Sequence, residues 1–320
     1  MRTSEELEFT QVSMHAVDAD YAGQRIDNYL LGLLKGVPRS RIYRIIRKGE
    51  IRVNRKRVQA QYKLQAGDVI RVPPIRVADR DDNTPIISAG LRETLERAVL
   101  YEDDALLVIN KPSGLAVHGG SGLDLGLIEA LRVIRADPGL ELMHRIDRET
   151  SGCLLVTKKR GALRQLHADL REGRIDKCYT ALAVGKWPAK YEEVRAPLLK
   201  NQLSSGERMV VVSKEGKLSH TRFKVLQRFA RATLVEAVPV TGRTHQIRVH
   251  ARFAGCPLAG DSKYGEDADN KAYKAIGLRR LFLHASRLGF VSPGTGNKVE
   301  VVAPLPDELE QVLARLASDR

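Results

Sequence analysis

Residues 35–76 carry thirteen lysines and arginines against only Glu50 and Asp68, so a net +11 of the chain's +14 lies in one short stretch. Charge that dense stays in water, because an unpaired buried cation costs far more than folding yields. Every element formed there must therefore bury one face and keep a cationic face exposed. Immediately beyond, Pro73-Pro74 and the acidic, proline-containing run VADRDDNTPIISAG (77–90) replace the basic pattern. Such a run resists packing and reads as a linker. The 320 residues thus divide into a small basic unit and a larger one able to bury its own core. The predicted boundaries are a tail and lead-in over 1–19, a basic domain over 20–76, a linker over 77–92 and a second domain over 93–320.

Within the basic unit, QRIDNYLLGL (24–33) places Ile26, Tyr29, Leu30 and Leu33 at helical spacing. After Pro38 comes SRIYRIIRKG (40–49), a second helix that Ser40 can cap and Gly49 can end. Its buried stripe is Ile42, Ile45 and Ile46, while the cations fall largely elsewhere. Two β-like runs follow, IRVN (51–54) and VIRV (69–72), separated by the basic turn at 55–57 and by Ala66-Gly67-Asp68. This order resembles the S-four-type RNA-binding domain over about residues 20–76. The resemblance implies RNA contacts from Arg39, Arg41, Arg44, Arg47, Lys48, Arg55, Lys56 and Arg57, in keeping with a sequence pI near 9.8. A role at a membrane surface fits less well, because these cations are not interleaved with exposed aromatics.

Several function classes are disfavoured. The opening MRTSEELEFT is acidic and lacks an apolar core of signal-peptide length, and no stretch is long enough to span a bilayer, so a cytoplasmic protein is expected. Cys153, Cys178 and Cys256 are odd in number and far apart, which suggests neither a disulfide framework nor a zinc-ligand pair. The eight histidines show no HExxH spacing, and no metal is expected.

The second domain alternates β-like runs at 106–109, 153–157, 178–184 and 233–238 with few helices. GALRQLHADLREG (161–173) is the clearest helix, with Leu163, Leu166 and Leu170 on one side and Gly173 just past its end. Helices are too sparse for regular βαβ units. The pattern predicts an α+β domain on a mixed, largely antiparallel sheet.

Its most informative string is HRIDRETSG (144–152), which holds Asp147 between Arg145 and Arg148 just before an apolar run. A cation near a carboxylate favours its ionised form, ready to attack or to accept a proton. An Arg-flanked Asp can also be no more than a solvated surface cluster. The string resembles the catalytic motif of the RluA-type pseudouridine synthases, whose usual pattern has Leu and Asp where this chain has Ile146 and Glu149. Further strings resemble the same family in order: KCYTAL around Tyr179, THQIR around Arg248 and RLFLHA around Leu283. GDSKYG (260–265), PLLKN (197–201) and SGER (205–208) extend the likeness from about residue 20 to 315. Taken alone, Tyr179 and Leu283 would be core residues and Arg248 a phosphate-binding cation.

The resemblance implies an isomerase that converts uridines of 23S rRNA to pseudouridine, with Asp147 catalytic. Arg248 would ion-pair with Asp147, Tyr179 stack on the uracil, and Leu283 line the uracil pocket. Arg145 could fill the space left by the everted base. An arginine suits the first task because its fork holds both carboxylate oxygens. On the helix predicted between Thr244 as cap and Gly255 as terminator, His245, Arg248 and Arg252 share a face. The implied partners are 23S rRNA or large-subunit assembly intermediates, with no cofactor, metal or membrane and a monomeric enzyme. The Gly-rich loops NKPSG (110–114) and HGGSG (118–122) could approach phosphates through backbone N–H groups, or be plain turns. HGG is similar to the oxyanion loop of some esterases, but no GxSxG elbow supplies a nucleophile. Two other classes compete: a non-catalytic RNA-binding protein of ribosome assembly, and a glycoside hydrolase using Asp147 and Glu149, which needs two carboxylates about 5–9.5 Å apart across a sugar.

Overall fold

The computed structural model describes residues 11–34, 37–75, 87–119, 125–202 and 208–318. The chain forms two compact units, Met1–Ile86 and Ile87–Arg320. Residues 77–86 of the predicted linker, Gly120 to Gly122 of HGGSG, and Ser205 to Glu207 of SGER lie outside the described residues.

In the first unit, β1 (Ser13–Ala16), β2 (Arg52–Val53), β3 (Lys56–Arg57) and β4 (Val69–Val72) form a sheet in the order β1-β4-β2-β3. Two helices, α1 (Ile26–Leu33) and α2 (Arg39–Lys48), bury Ile26, Leu30, Ile42, Ile45 and Ile46 in one core with Val53, Ile70 and Val72 of the sheet. The predicted lead-in over 1–19 is corrected, since β1 pairs antiparallel with β4; its four-residue alternation is too short to stand out in a polar terminus. Ser40 does not cap α2. The helix starts earlier, at Arg39, with Pro38 as its N-cap: Pro38 O accepts from the N–H groups of Arg41 and Ile42. A proline's fixed φ and missing N–H suit it to a helix start. Gly49, at φ 72, ends the helix as predicted.

The second unit adds α3 (Ala89–Arg97), β5 (Val99–Glu102), β6 (Leu106–Lys111), α4 (Leu127–Ile134), β7 (Glu141–Leu142), β8 (Ser151–Thr157), α5 (Arg160–Arg171), β9 (Asp176–Val184) and β10 (Glu193–Val194). Then come β11 (Leu198–Gln202), β12 (Arg208–Val212), β13 (Thr221–Arg228), β14 (Ala232–Pro239), α6 (Gln246–Phe253), α7 (Asp267–Ala275), β15 (Leu283–Val291), β16 (Lys298–Val302) and α8 (Asp307–Ser318). The linker expected up to residue 92 ends sooner, because Ser88 caps α3 by accepting the N–H of Leu91.

The main sheet runs β10-β13-β14-β9-β15-β8-β6-β5, with β16 on β15 and β7 on β8. Among the described residues every strand pair is antiparallel except β15 with β8, so the domain is α+β on a mixed, largely antiparallel sheet. β8 is buried along its whole length, with the apolar run Cys153 to Val156 at its centre, because both its faces are covered, by Leu166 of α5 among others. The neighbours β9, β15 and β8 lie side by side at the centre of the sheet: one holds Tyr179, one begins at Leu283, and one is entered directly from the Asp147 loop.

Candidate active site

The loop between β7 and β8 is built from buried anchors. His144 accepts the N–H of Leu155 at 3.2 Å through Nε2, and burial, reinforced by the charge of Lys177, pushes its imidazole down to about 3. It is therefore a neutral structural acceptor. From below, the NKPSG loop holds the same segment. Lys111, fully buried, donates through Nζ to Pro112 O, Leu115 O and Arg148 O at 2.7, 2.8 and 3.0 Å. Burial and the neighbouring Arg280 pull this ammonium down to about 7, but three carbonyl acceptors use all three of its protons. Ser113 Oγ donates to Glu149 O at 2.7 Å, and Arg280 Nη1 donates to the same carbonyl at 3.2 Å. Lys111 and Ser113, read from sequence as part of a phosphate-approaching loop, are thus supports for the Asp147 loop.

Asp147 is one-fifth exposed (21%), open enough for a ligand to reach. Neither sequence neighbour is its partner. Arg145 is exposed, and Arg148 turns away to donate through Nε to Gly114 O at 2.9 Å. The nearest cation is Arg248, whose Nη1 lies 3.5 Å from Oδ2 across 101 residues of sequence.

Arg248 sits in the first turn of α6, but its fork does not hold Asp147 as expected. Nε and Nη2 donate to Oδ2 and Oδ1 of Asp261 at 2.8 and 2.7 Å, leaving Nη1 for Asp147 and bringing Nη2 to 3.7 Å from Glu149. Asp261 is fully buried and also accepts the N–H groups of Lys263 and Tyr264, both at 2.9 Å. Burial alone would raise its carboxyl; the hydrogen bonds and charge of Arg248 with those N–H groups hold it below the ordinary range. Burial likewise works against the Arg248 charge and loses to Asp261, Asp147 and Glu149, so its pKa is raised. The Tyr264 ring lies 5.0 Å from the guanidinium carbon. Sequence reasoning missed Asp261; the acid inside GDSKYG was its signal.

Thr244 does not cap α6. His245 occupies the N-cap with a left-handed backbone (φ 52) and no side-chain cap bond. Gln246 organises the turn instead: its Oε1 accepts from Thr241 Oγ1 and Arg243 N at 2.7 and 3.0 Å, and its Nε2 donates to His220 O and Thr221 Oγ1, both at 2.9 Å. Gly255, at φ 82, follows the helix end as predicted. Of the shared face, His245 Nε2 comes within 3.9 Å of Asp147 Oδ1, whereas Arg252 pairs with Glu266 at 3.8 Å.

Asp147, Arg145, Tyr179, Arg248, His245 and Leu283 line one cavity of ≈ 300 Å³, at the lower end of ligand-pocket volumes. Tyr179 and Leu283 are buried, on adjacent strands. Burial, and then the charge of Asp147, raise the Tyr179 phenol, which keeps its proton at physiological pH.

In the first unit, Arg39, Arg44, Arg47 and Lys48 of α2 are exposed and Arg41 is half-buried. Asn54 (φ 49) and Arg55 (φ 67) form a left-handed hairpin turn that displays Arg55, Lys56 and Arg57. Among the described residues, Lys48 alone of these eight has an acidic partner, Glu50 at 4.0 Å.

Two family models match the chain, RNA pseudouridylate synthase over residues 105–253 and S4 domain over residues 24–70. Ribosomal large subunit pseudouridine synthase C of Pasteurella multocida (strain Pm70) is 54% identical over 310 residues, 97% of this chain and 95% of the relative. The protein of the same name from Escherichia coli (strain K12) is 55% identical over 318 residues, 98% of this chain and 99% of the relative. Among solved structures, human RNA pseudouridylate synthase domain containing 4 aligns with a TM-score of 0.60 and 29% identity, over 71% of this chain and 96% of that one.

Proposed function

This chain belongs to the RNA pseudouridylate synthase family, and we propose that it isomerises uridines of 23S rRNA, as a large-subunit pseudouridine synthase of the C type, with Asp147 as the catalytic residue. The observation that carries the residue assignment is the convergence of Asp147, Arg248, Tyr179 and Leu283 on one cavity from two adjacent strands, the loop that enters a third, and a helix.

The reaction breaks the bond from ribose C1′ to N1, turns the uracil and joins C1′ to C5. The proton lost from C5 is balanced by one gained at N1. Nothing is oxidised or hydrolysed, so the chemistry calls for no redox cofactor or metal. Attack on the ribose, attack on the ring and removal of the 2′ proton all need a carboxylate held in place, and Arg248 Nη1 lies 3.5 Å from Asp147 Oδ2 to orient it. Tyr179, held protonated, orients the uracil against Leu283. The target must leave its stack at a cost of about a few kcal/mol, and the exposed guanidinium of Arg145 at the cavity is suited to fill the vacancy. The cationic face of α2 and the Arg55 turn supplies phosphate contacts. On this reading the protein works as a cytoplasmic monomer on rRNA or large-subunit assembly intermediates. No described helix is long and apolar enough to cross a membrane.

The two competing classes fare worse. A glycoside hydrolase needs its carboxylates facing one sugar, whereas Asp147 and Glu149 converge on a single guanidinium. A binding-only protein leaves the carboxylate cavity without a task. Incubation with 23S rRNA fragments and chemical labelling of pseudouridine tests the proposal. Asp147→Asn is expected to lower turnover by at least about a thousandfold while RNA binding persists; normal turnover would falsify the assignment.

A further inference from the structure

Asp147 is approached on both oxygens, Oδ2 by Arg248 Nη1 at 3.5 Å and Oδ1 by His245 Nε2 at 3.9 Å. His245 reaches that position through a left-handed backbone (φ 52), a conformation few residues with a Cβ adopt. Its far side is fixed. Nδ1 lies 2.7 Å from Tyr264 Oη, and the two rings meet edge-on at 5.5 Å. Tyr264 Oη in turn accepts the N–H of Val210, on β12, at 3.0 Å.

These contacts favour one site for the imidazole proton. Tyr264 Oη accepts from Val210, and its own hydrogen is used when it donates to His245 Nδ1, whereas an Nδ1–H would leave that hydrogen without an acceptor at this contact. Burial raises the phenol's pKa and keeps that hydrogen in place. An imidazole that accepts at Nδ1 carries its proton on Nε2, the nitrogen facing Asp147. Burial lowers the His245 pKa against the pull of Asp147, with Arg248 and Lys263 adding to the lowering and Asp261 opposing it. The ring is therefore neutral near pH 7.

From this geometry we infer that His245 is a positioning residue for Asp147: its Nε2–H, selected by the Tyr264 hydroxyl, steers Oδ1 while Arg248 steers Oδ2. A distance of 3.9 Å exceeds hydrogen-bond length, so the N–H acts as an oriented dipole that a small rotation of the carboxylate converts to a bond. A neutral donor orients the carboxylate without adding a second full charge to it. Steering both oxygens narrows the orientations open to the carboxylate at the cavity that Asp147 lines.

The inference rests on the catalytic reading of Asp147, and the two fail separately. Asp147→Asn tests that reading alone; substitutions at His245 test this one. His245→Leu removes the donor but keeps bulk, and is expected to lower kcat roughly tenfold or more with KM for RNA little changed. His245→Gln carries an N–H to the same reach and restores kcat to within about threefold of wild type. A Leu variant that keeps wild-type kcat, a Gln variant no better than Leu, or a loss carried by KM overturns the inference. Nitrogen-15 NMR of the wild-type imidazole, assigned by its disappearance in His245→Gln, reads the tautomer without relying on activity. A neutral ring protonated at Nε2 is expected near pH 7; an Nδ1–H tautomer or an imidazolium overturns it whatever the variants do.

Discussion

At the scale of single residues, Arg248 serves three carboxylates with one guanidinium. Its short bonds, 2.7 and 2.8 Å, go to Asp261, and the contacts to Asp147 and Glu149 are longer, at 3.5 and 3.7 Å. The arrangement separates two tasks. Asp261 is buried and saturated, so it locks the guanidinium plane; Asp147 receives the leftover Nη1 and stays exposed enough to react. Removing one partner of a buried pair costs roughly 3–5 kcal/mol, because the other charge is left uncompensated. Asp261→Asn is therefore expected to lower the thermal midpoint by roughly 6 °C or more near neutrality, and to lower kcat as Arg248 loses its orientation. The pH dependence has a definite sign. The folded Asp261 carboxyl lies below its ordinary value, so its contribution is complete above an unfolded pKa of about 3.9 and is lost as pH falls through the lower folded one. The gap in midpoint between wild type and variant should close as pH drops below about 4. A gap constant down to acid pH would show that packing, not charge, stabilises the site.

At the scale of elements, the site depends on the parallel pair β15–β8, where Leu283 and the end of the Asp147 loop are brought side by side. Gly152 pairs with Ala285 there, and at φ 104 its position has no room for a side chain: a Cβ would stand 2.3 Å from Ala285 O. Gly152→Ala must push β8 from β15 and is expected to cost more than about 2 kcal/mol. Urea unfolding measures it, and a variant with wild-type midpoint and turnover would refute the close approach. The string HRIDRETSG exposes both its acid and this glycine to sequence reading. So do the apolar runs of β6, β8, β9 and β14 and the stripes of α2 and α5, since strand and helix periodicity is local. What escapes is set by partners remote in sequence. Lys111 finds its third carbonyl acceptor at Arg148, and the His245 ring meets Tyr264 through Nδ1. Arg248 can be matched to Asp147 by motif, yet nothing local says that Asp261 takes the fork. Helix starts escape for a related reason: Ser40 and Thr244 are good capping types, but Pro38 and the left-handed His245 decide where the chain turns. β1 and the start of α3 are hidden in polar segments that become regular only against a neighbour.

At the scale of the whole molecule, charge and chemistry are divided between the units. The basic stretch carries a net +11 of +14, while the carboxylate cavity is lined by residues of the second unit. On the proposed reading, cations at α2 and the Arg55 turn meet phosphates; they would then govern how much enzyme is bound and leave the barrier to an isomerisation confined to that cavity unchanged. Each phosphate that the protein neutralises steepens the fall of log affinity with log salt by about 0.7 to 0.9, the range between single and double strands. Replacing Arg44, Arg47 and Arg55 together by Gln in the full chain is therefore expected to flatten that slope by roughly two units. The same variant should raise KM strongly at moderate salt and leave kcat at saturating RNA unchanged. All three side chains are exposed and none has an ion-pair partner among the described residues, so folding should not suffer. Titrations of an rRNA fragment at several salt concentrations, with turnover measured beside them, separate the two effects. An unchanged slope would mean that this face contacts no phosphate. A fall in kcat at saturation would mean that binding by the first unit is coupled to the chemistry of the second.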